Sequence, residues 1–223
     1  MLNIKTFYFN PFQECTTLLW DETGEGVVVD PGCYNDKEEE ELRKYISLKK
    51  IKLVAIWLTH AHPDHIFGVA GILDEAEIPV LVHPLEEPEA AFELARMVGL
   101  REPRADFETV DIHEGDTVKF GNTRFTVIET PGHTPGGVCY YDKADNLLIT
   151  GDTLFAGSIG RTDLRGGDYD HLIVSIMNKL MGLPGETEII PGHGETSDIG
   201  WERTHNPFLQ PFNEPWEENE TTL

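Results

Sequence analysis

Hydrophobic and polar positions alternate in short runs at the start of the chain. Residues 4–9, 15–20 and 26–30 are β-branched or aromatic runs divided by Asn10-Pro11 and Thr23-Gly24, which are turn signals, and they predict three strands. Pro31-Gly32 ends the third, and Asn35 or Asp36 then caps a charged amphipathic helix reaching residue 48. Residues 53–58 (LVAIWL) are continuously apolar, the pattern of a strand buried on both faces. A helix is expected from Asp64 or His65 to Ala76, a buried strand over 79–82, and a helix over 84–98 with Pro84 in its first turn.

The second half repeats that order. Strands are expected at 109–113, 116–120 and 123–129, the last two joined at Gly121-Asn122, and a hairpin at 138–142 and 147–150. Residues 168–181 predict a helix, 188–190 a short strand and 197–205 a last helix before an acidic tail. No repeat is visible residue by residue, but strands followed by helices occur once in each half. Two β-sheets packed face to face, with helices outside both, satisfy that order and make the fold class α/β.

The 223 residues fit a single domain spanning residues 1–223, large enough to bury a core without disulfides or a structural metal. Metal-type ligands in such a chain therefore point to catalysis. Lys and Arg number 17 against 40 Asp and Glu, a formal charge of -23 that repels phosphate backbones, so no nucleic-acid partner is expected. Residues 38–41 and 217–220 are read as a solvated helix face and tail. Cys15, Cys33 and Cys139 are dispersed and odd in number, which argues against a disulfide framework or a thiolate zinc site and suits a reducing compartment. With no signal-peptide pattern and no apolar run near the roughly 20 residues of a membrane helix, a cytoplasmic protein independent of membranes is expected.

Chemistry concentrates in T-H-A-H-P-D-H, Thr59 to His65, just past the end of a buried strand, where side chains converge on a crevice. In an extended turn His60 and His62 point the same way and can share one metal. Asp64 and His65, at a helix entry, can address a second ion beside it. Three more strand ends carry a ligand: His133 in T-P-G-H-T-P-G-G, Asp152 in G-D-T-L-F and His193 in P-G-H-G. One ion would take His60, His62 and His133, the other Asp64, His65 and His193, with Asp152 bridging. Imidazole with carboxylate suits two divalent ions, zinc first, with iron or manganese as alternatives. Two such ions lower the pKa of a shared water and polarise a carbonyl. A single one of these residues would be a loop or core residue in most chains, and His83, His113, His171 and His205, which lack this context, are read as structural.

The ordered set T-H-A-H-P-D-H, G-H-T-P-G, G-D-T and P-G-H-G resembles the metallo-β-lactamase superfamily over residues 15 to 205. The resemblance implies a four-layer αββα sandwich and a dinuclear site. Within it, residues 151–164 (GDTLFAGSIGRTDL) are similar to glyoxalase II, which hydrolyses the thioester S-D-lactoylglutathione. Glyoxalase II holds glutathione partly with a basic residue and a tyrosine just after this glycine; Arg161 and Asp163 stand at those positions here. Arg161 can grip a carboxylate bidentately, and Asp163 departs from the pattern, with a structural loop role as its other reading. The stretch 200–208 resembles the short, single-domain glyoxalase II-like proteins of bacteria, which lack the helical C-terminal region.

The resemblance thus implies a dinuclear-metal hydrolase acting on a small-molecule acyl-thiol, with a metal-bridging hydroxide as nucleophile and Asp64 and Asp152 as its catalytic carboxylates. A mononuclear-iron persulfide dioxygenase shares the fold and the G-R-T-D segment and is the alternative. A nuclease of the superfamily is disfavoured by charge, a true β-lactamase by G-R-T-D, and a non-catalytic binding protein by the complete ligand set.

Overall fold

The computed structural model describes residues 1–88 and 91–210. Its first sheet contains β1 (Asn3–Phe9), β2 (Glu14–Trp20), β3 (Glu25–Val29), β4 (Lys52–Trp57), β5 (Val80–Val82) and β6 (Thr109–Asp111), in that spatial order. β1 to β3 form an antiparallel meander, and β3 to β6 run parallel. The crossovers carry α1 (Asp36–Lys49), α2 (Pro63–Ile66), α3 (Val69–Leu73) and α4 (Ala91–Met97). Parallel neighbours need such crossovers because no tight turn can return the chain to the same end.

The second sheet draws on β7 (Thr117–Phe120), β8 (Thr123–Glu129), β9 (Val138–Asp142), β10 (Leu147–Gly151), β13 (Glu188–Pro191) and β14 (Ser197–Asp198), ordered β14-β13-β10-β9-β8-β7. A small hairpin, β11 (Leu154–Phe155) with β12 (Ser158–Ile159), follows β10; α5 (Tyr169–Ser175) and α6 (Ile199–His205) complete this half.

Period-two alternation sends successive side chains to opposite sides of each sheet. Val27 and Val29 of β3, Ala55 and Trp57 of β4, and Leu147 and Ile149 of β10 enter one buried cluster between the sheets. Trp57 is its centre, with ring centroids 5.1 Å from Tyr140 and 5.4 Å from Phe125. Val28 faces the other way, with Phe7, Leu18 and Leu42, under α1. Ile56 packs with Ile66 and Val69, and Leu148 with Leu172 and Ile189. Helices therefore cover both outer faces, giving the expected αββα sandwich.

Several boundaries differ from those expected. The helix expected from residue 64 or 65 to 76 is two short ones, because Gly68 N–H leaves the helical ladder to donate to Pro31 O at 2.7 Å. α4 is shorter than residues 84–98: Pro84-Leu85 is a turn, where Leu85 N–H donates to His83 Nδ1 at 3.2 Å. The helix expected over 168–181 is α5 followed by a π-helical turn, Ile176–Leu180, capped at its start by Asp168. Ser197 and Asp198 pair with β13 before α6 begins. The expected strand over 109–113 ends at Asp111. Glu38 is not simply solvated, since its carboxylate accepts from Tyr34 N and Asn10 N at 2.7 and 3.1 Å. The expected tail over 217–220 lies outside the described residues. Among the described residues, no helix is long and apolar enough to cross a membrane.

Candidate metal centre

Four strand ends meet at one edge of the sandwich. His60 follows β4, His133 follows β8, Asp152 follows β10 and His193 follows β13, while His62, Asp64 and His65 lie at the entry to and within α2. All seven residues expected from sequence are brought together here. His60, His62 and His133 form one group with ligand atoms within 4.8 Å of one another, and Asp64, His65 and His193 form another. Asp152 lies between them: Oδ2 is 3.4 Å from His133 Nε2, and Oδ1 is 3.5 Å from His65 Nε2 and 3.7 Å from His193 Nε2. Asp64 Oδ2 is 3.2 Å from His193 Nε2.

Outer hydrogen bonds fix which ring nitrogen faces inward. Thr59 Oγ1 gives its single proton to Asp30 Oδ2 at 2.6 Å, so it accepts from His60 Nδ1 at 3.1 Å. His65 Nδ1 donates to Asp30 Oδ2 at 3.0 Å. His133 Nδ1 donates to Arg161 O at 2.7 Å, and His193 Nδ1 to Phe12 O at 3.1 Å. When these rings are neutral, the hydrogen bonds hold the proton on the outer nitrogen and leave Nε2 with a lone pair toward the centre, the orientation that metal-ligating histidines need. His62 instead presents Nδ1, 2.9 Å from His133 Nε2.

A cation fits these donors. His60 Nε2, His65 Nε2 and Asp152 Oδ1 are buried and have no hydrogen-bond partner among the described residues. Buried polar atoms rarely stay unpaired, and a bound ion is one standard reason when they do. Burial, reinforced by His65 and His62, pushes His60 well below the ordinary histidine range. Burial and then His133 take His62 down to about 3. Burial opposes ionisation of Asp152, but His65 and His133 hold its carboxyl well below the carboxylate range. Neutral imidazoles beside ionised carboxylates are the forms that bind divalent ions. His65 is raised although burial lowers it, because Asp152 and Asp64 surround it with negative charge.

Glycine lets the backbone come close. A Cβ on Gly192 would lie 2.2 Å from Asp152 Oδ1 and 2.8 Å from His65 Cε1, so only glycine allows the P-G-H-G turn to lie against the centre.

Three contributors were not anticipated from the sequence. Asp30, 3% exposed and at φ 47°, accepts from Thr59 N at 2.7 Å as well as from the two side chains named above. It stands at the end of β3, and that position was the available signal. Thr59 is the residue through which Asp30 reaches His60. Glu86, in the turn before α4, accepts from Ala61 N at 2.8 Å and Gly136 N at 2.9 Å. It therefore ties the loop of His60 and His62 to the loop of His133; nothing in its sequence neighbourhood marks it.

Outside the centre, His83, His113 and Glu129 also cluster within 4.8 Å. His83 Nδ1 accepts from Leu85 N–H, so the neutral ring donates from Nε2 to Glu129 Oε1 at 3.1 Å. Both nitrogens are engaged, and the cluster is a hydrogen-bonded strut. Arg161 reaches no ligand atom with its side chain; it makes a bidentate pair with Asp163 at 2.7 and 2.8 Å.

The metallo-beta-lactamase superfamily profile matches residues 10–193, and the chain belongs to that superfamily. The hydroxyacylglutathione hydrolase GloC of Haemophilus influenzae is 34% identical over 214 residues, covering 93% of this chain and 98% of GloC. Among solved structures, BLEG-1, a B3 metallo-beta-lactamase, superposes with a TM-score of 0.84 at 38% identity, covering 93% of this chain and 99% of that one. TTHA1623 in a di-iron-bound form gives 0.83 at 38% identity, covering 92% and 100%. The chain is thus a metallo-hydrolase relative in fold and in its histidine and aspartate clusters.

Proposed function

We propose that this protein is a dinuclear-metal hydrolase that cleaves thioesters of small-molecule acyl-thiols. One divalent ion is assigned to His60, His62 and His133, the other to Asp64, His65 and His193, with Asp152 shared. The observation that carries the reading is the inward set of ring nitrogens, fixed by outer hydrogen bonds and leaving buried donor atoms without partners. Ions bound there supply an activated water at neutral pH and a Lewis acid for the substrate carbonyl. Zinc is the proposed metal, with iron or manganese also suited to imidazole and carboxylate.

The chain's own groups have defined tasks. Asp30 and the carbonyls of Arg161 and Phe12 hold the rings in orientation. Asp64 Oδ2, beside His193 Nε2 at 3.2 Å, takes the proton shed by the attacking water and holds it for the departing thiolate. The hydrolysis named for GloC supports the thioester class. Residues 1–223 are taken as one catalytic domain working in the cytoplasm.

Thiol release from S-D-lactoylglutathione and simpler acyl-thiols by the metal-loaded protein tests the reading. Asp64→Asn should lose most turnover while keeping the wild-type melting temperature, and full activity in that variant would remove Asp64 from its role. Oxygen uptake on glutathione persulfide, with one iron per chain and no thioester cleavage, would replace the hydrolase by a persulfide dioxygenase.

A further inference from the structure

Glu202 on α6 and Asn206 just after it lie outside both donor sets, yet both are 0% exposed. Burying a carboxylate is costly unless donors surround it. Glu202 is surrounded: Oε2 accepts from Gly157 N at 2.9 Å and from Asn206 Nδ2 at 2.7 Å, and Oε1 accepts from Ser197 Oγ. Asn206 Nδ2 spends its second proton on Ser158 O at 3.0 Å. Gly157, at φ 67°, sits in the turn of the β11–β12 hairpin, and Ser158 begins β12. Two buried side chains therefore grip the tip of that hairpin. Leu154 and Ile159 of the hairpin share a buried cluster with Ile199 and Leu209, so apolar packing backs the polar grip.

The base of the same hairpin is built into the metal centre. Asp152 stands two residues before β11, and Arg161 two residues after β12. Gly160 N donates to Thr153 O at 3.3 Å, which closes the base. A Cβ on Gly160 would lie 1.8 Å from Asp152 O and 3.2 Å from His133 Cβ, so the returning strand is pressed against two of the proposed ligands. Arg161 O then accepts from His133 Nδ1 at 2.7 Å. Where that carbonyl sits depends on where the hairpin sits. His65 is supported separately, because its Nδ1 donates to Asp30 Oδ2 after β3 in the other sheet.

We infer that Glu202 and Asn206 are positioning residues of the metal centre: they hold the β11–β12 hairpin by its tip, and the hairpin holds the Arg161 carbonyl against His133 Nδ1. The inference rests on the assignment of His133 to one of two ions and names what keeps that ring in place. Its reach is one donor set, since Asp30 orients His65.

Protein labelled with [15N]histidine, metal-free and zinc-loaded, reads the clamp by solvent exchange of the ring Nδ1–H groups in nuclear magnetic resonance. In Glu202→Ala the His133 Nδ1–H should exchange on the order of ten-fold faster, while the His65 Nδ1–H keeps its wild-type rate. The zinc assigned to His60, His62 and His133 should be lost to a weak chelator about ten-fold more readily, the low end for an outer partner of a metal ligand. Asn206→Ala removes the Ser158 bond and spares the Gly157 bond, so it should show a smaller change of the same kind. Glu202→Gln should restore wild-type behaviour, because its amide oxygen accepts from Gly157 N and its N–H donates to Ser197 Oγ. Equal acceleration at both rings would make Glu202 a residue of general stability and overturn the inference, as would unchanged exchange at both. Loss of the fold in both alanine variants would also overturn it, by making the 200–208 stretch a folding element. A wild type that takes up no zinc would sink the metal assignment, and the metal-free exchange rates would still decide the clamp.

Discussion

Asp30 Oδ2 and His65 Nδ1 are 3.0 Å apart, joined across 35 residues of chain. The same oxygen accepts from Thr59 Oγ1, whose own oxygen accepts from His60 Nδ1. One buried carboxylate thus orients a histidine from each of the two proposed ligand sets. In Asp30→Asn an amide N–H would face either the Thr59 backbone N–H or both the Thr59 hydroxyl and the His65 N–H. Metal affinity should fall about 10- to 100-fold, as for other outer partners of metal ligands. Elemental analysis after dialysis against a weak chelator checks this, and wild-type retention would contradict it.

Glu86 holds two loops together through Ala61 N–H and Gly136 N–H. Glutamine can accept with only one of its two terminal atoms, so Glu86→Gln leaves one buried N–H against a donor. The expected loss is about 1–3 kcal/mol of stability, read as a lower midpoint in urea. Chelator competition should also show weaker retention of the ion assigned to His60, His62 and His133.

Gly192→Ala places a methyl group where Asp152 Oδ1 and His65 Cε1 already lie. The turn must move away from the centre, at a cost of about 1–3 kcal/mol for an overpacked site. Metal should be lost while the sheet signal in far-ultraviolet circular dichroism stays unchanged.

Asp21 joins the two sheets at the opposite edge. Its carboxylate accepts from Thr23 N at 2.9 Å, and across the sandwich from Asn122 N at 2.6 Å and Thr123 Oγ1 at 3.2 Å. Burial works against the charge, but the hydrogen bond from Thr23 Oγ1, followed by those from Asn122 N, Thr23 N and Thr123 Oγ1, holds the carboxyl below its ordinary value. The folded pKa is depressed, so the stabilisation is fully present above the unfolded value of about 4 and is lost as pH falls through the folded one. Asp21→Asn should lower stability at pH 7 and flatten the loss on acidification. Urea midpoints at pH 7 and pH 3 check both, and equal acid sensitivity in the two proteins would contradict the assignment.

Much of this arrangement was legible in the sequence because period-two and continuous apolar runs are local signals. LVAIWL announced β4, and Thr59-His60 marked where it ends. Four of the proposed ligands, His60, His133, Asp152 and His193, follow from the same signal, since each stands shortly after a strand, and His62, Asp64 and His65 follow His60 into α2. What escaped was decided by contacts distant in sequence. Gly68 breaks its helix to reach Pro31, and Glu86 matters only because it meets Ala61 and Gly136 in space. Asp30 could have been noticed at its strand end, but its partners lie 29 and 35 residues away.

Two ions are assigned to this edge of the sandwich, held by two donor sets that share Asp152. The most direct measurement is elemental analysis of the purified protein beside His62→Ala, His193→Ala and Asp152→Ala. Close to two divalent ions per chain are expected in the wild type, about one in each histidine variant and fewer than one in Asp152→Ala. One ion or none per wild-type chain under metal-replete conditions, or a count untouched by these substitutions, would contradict that assignment.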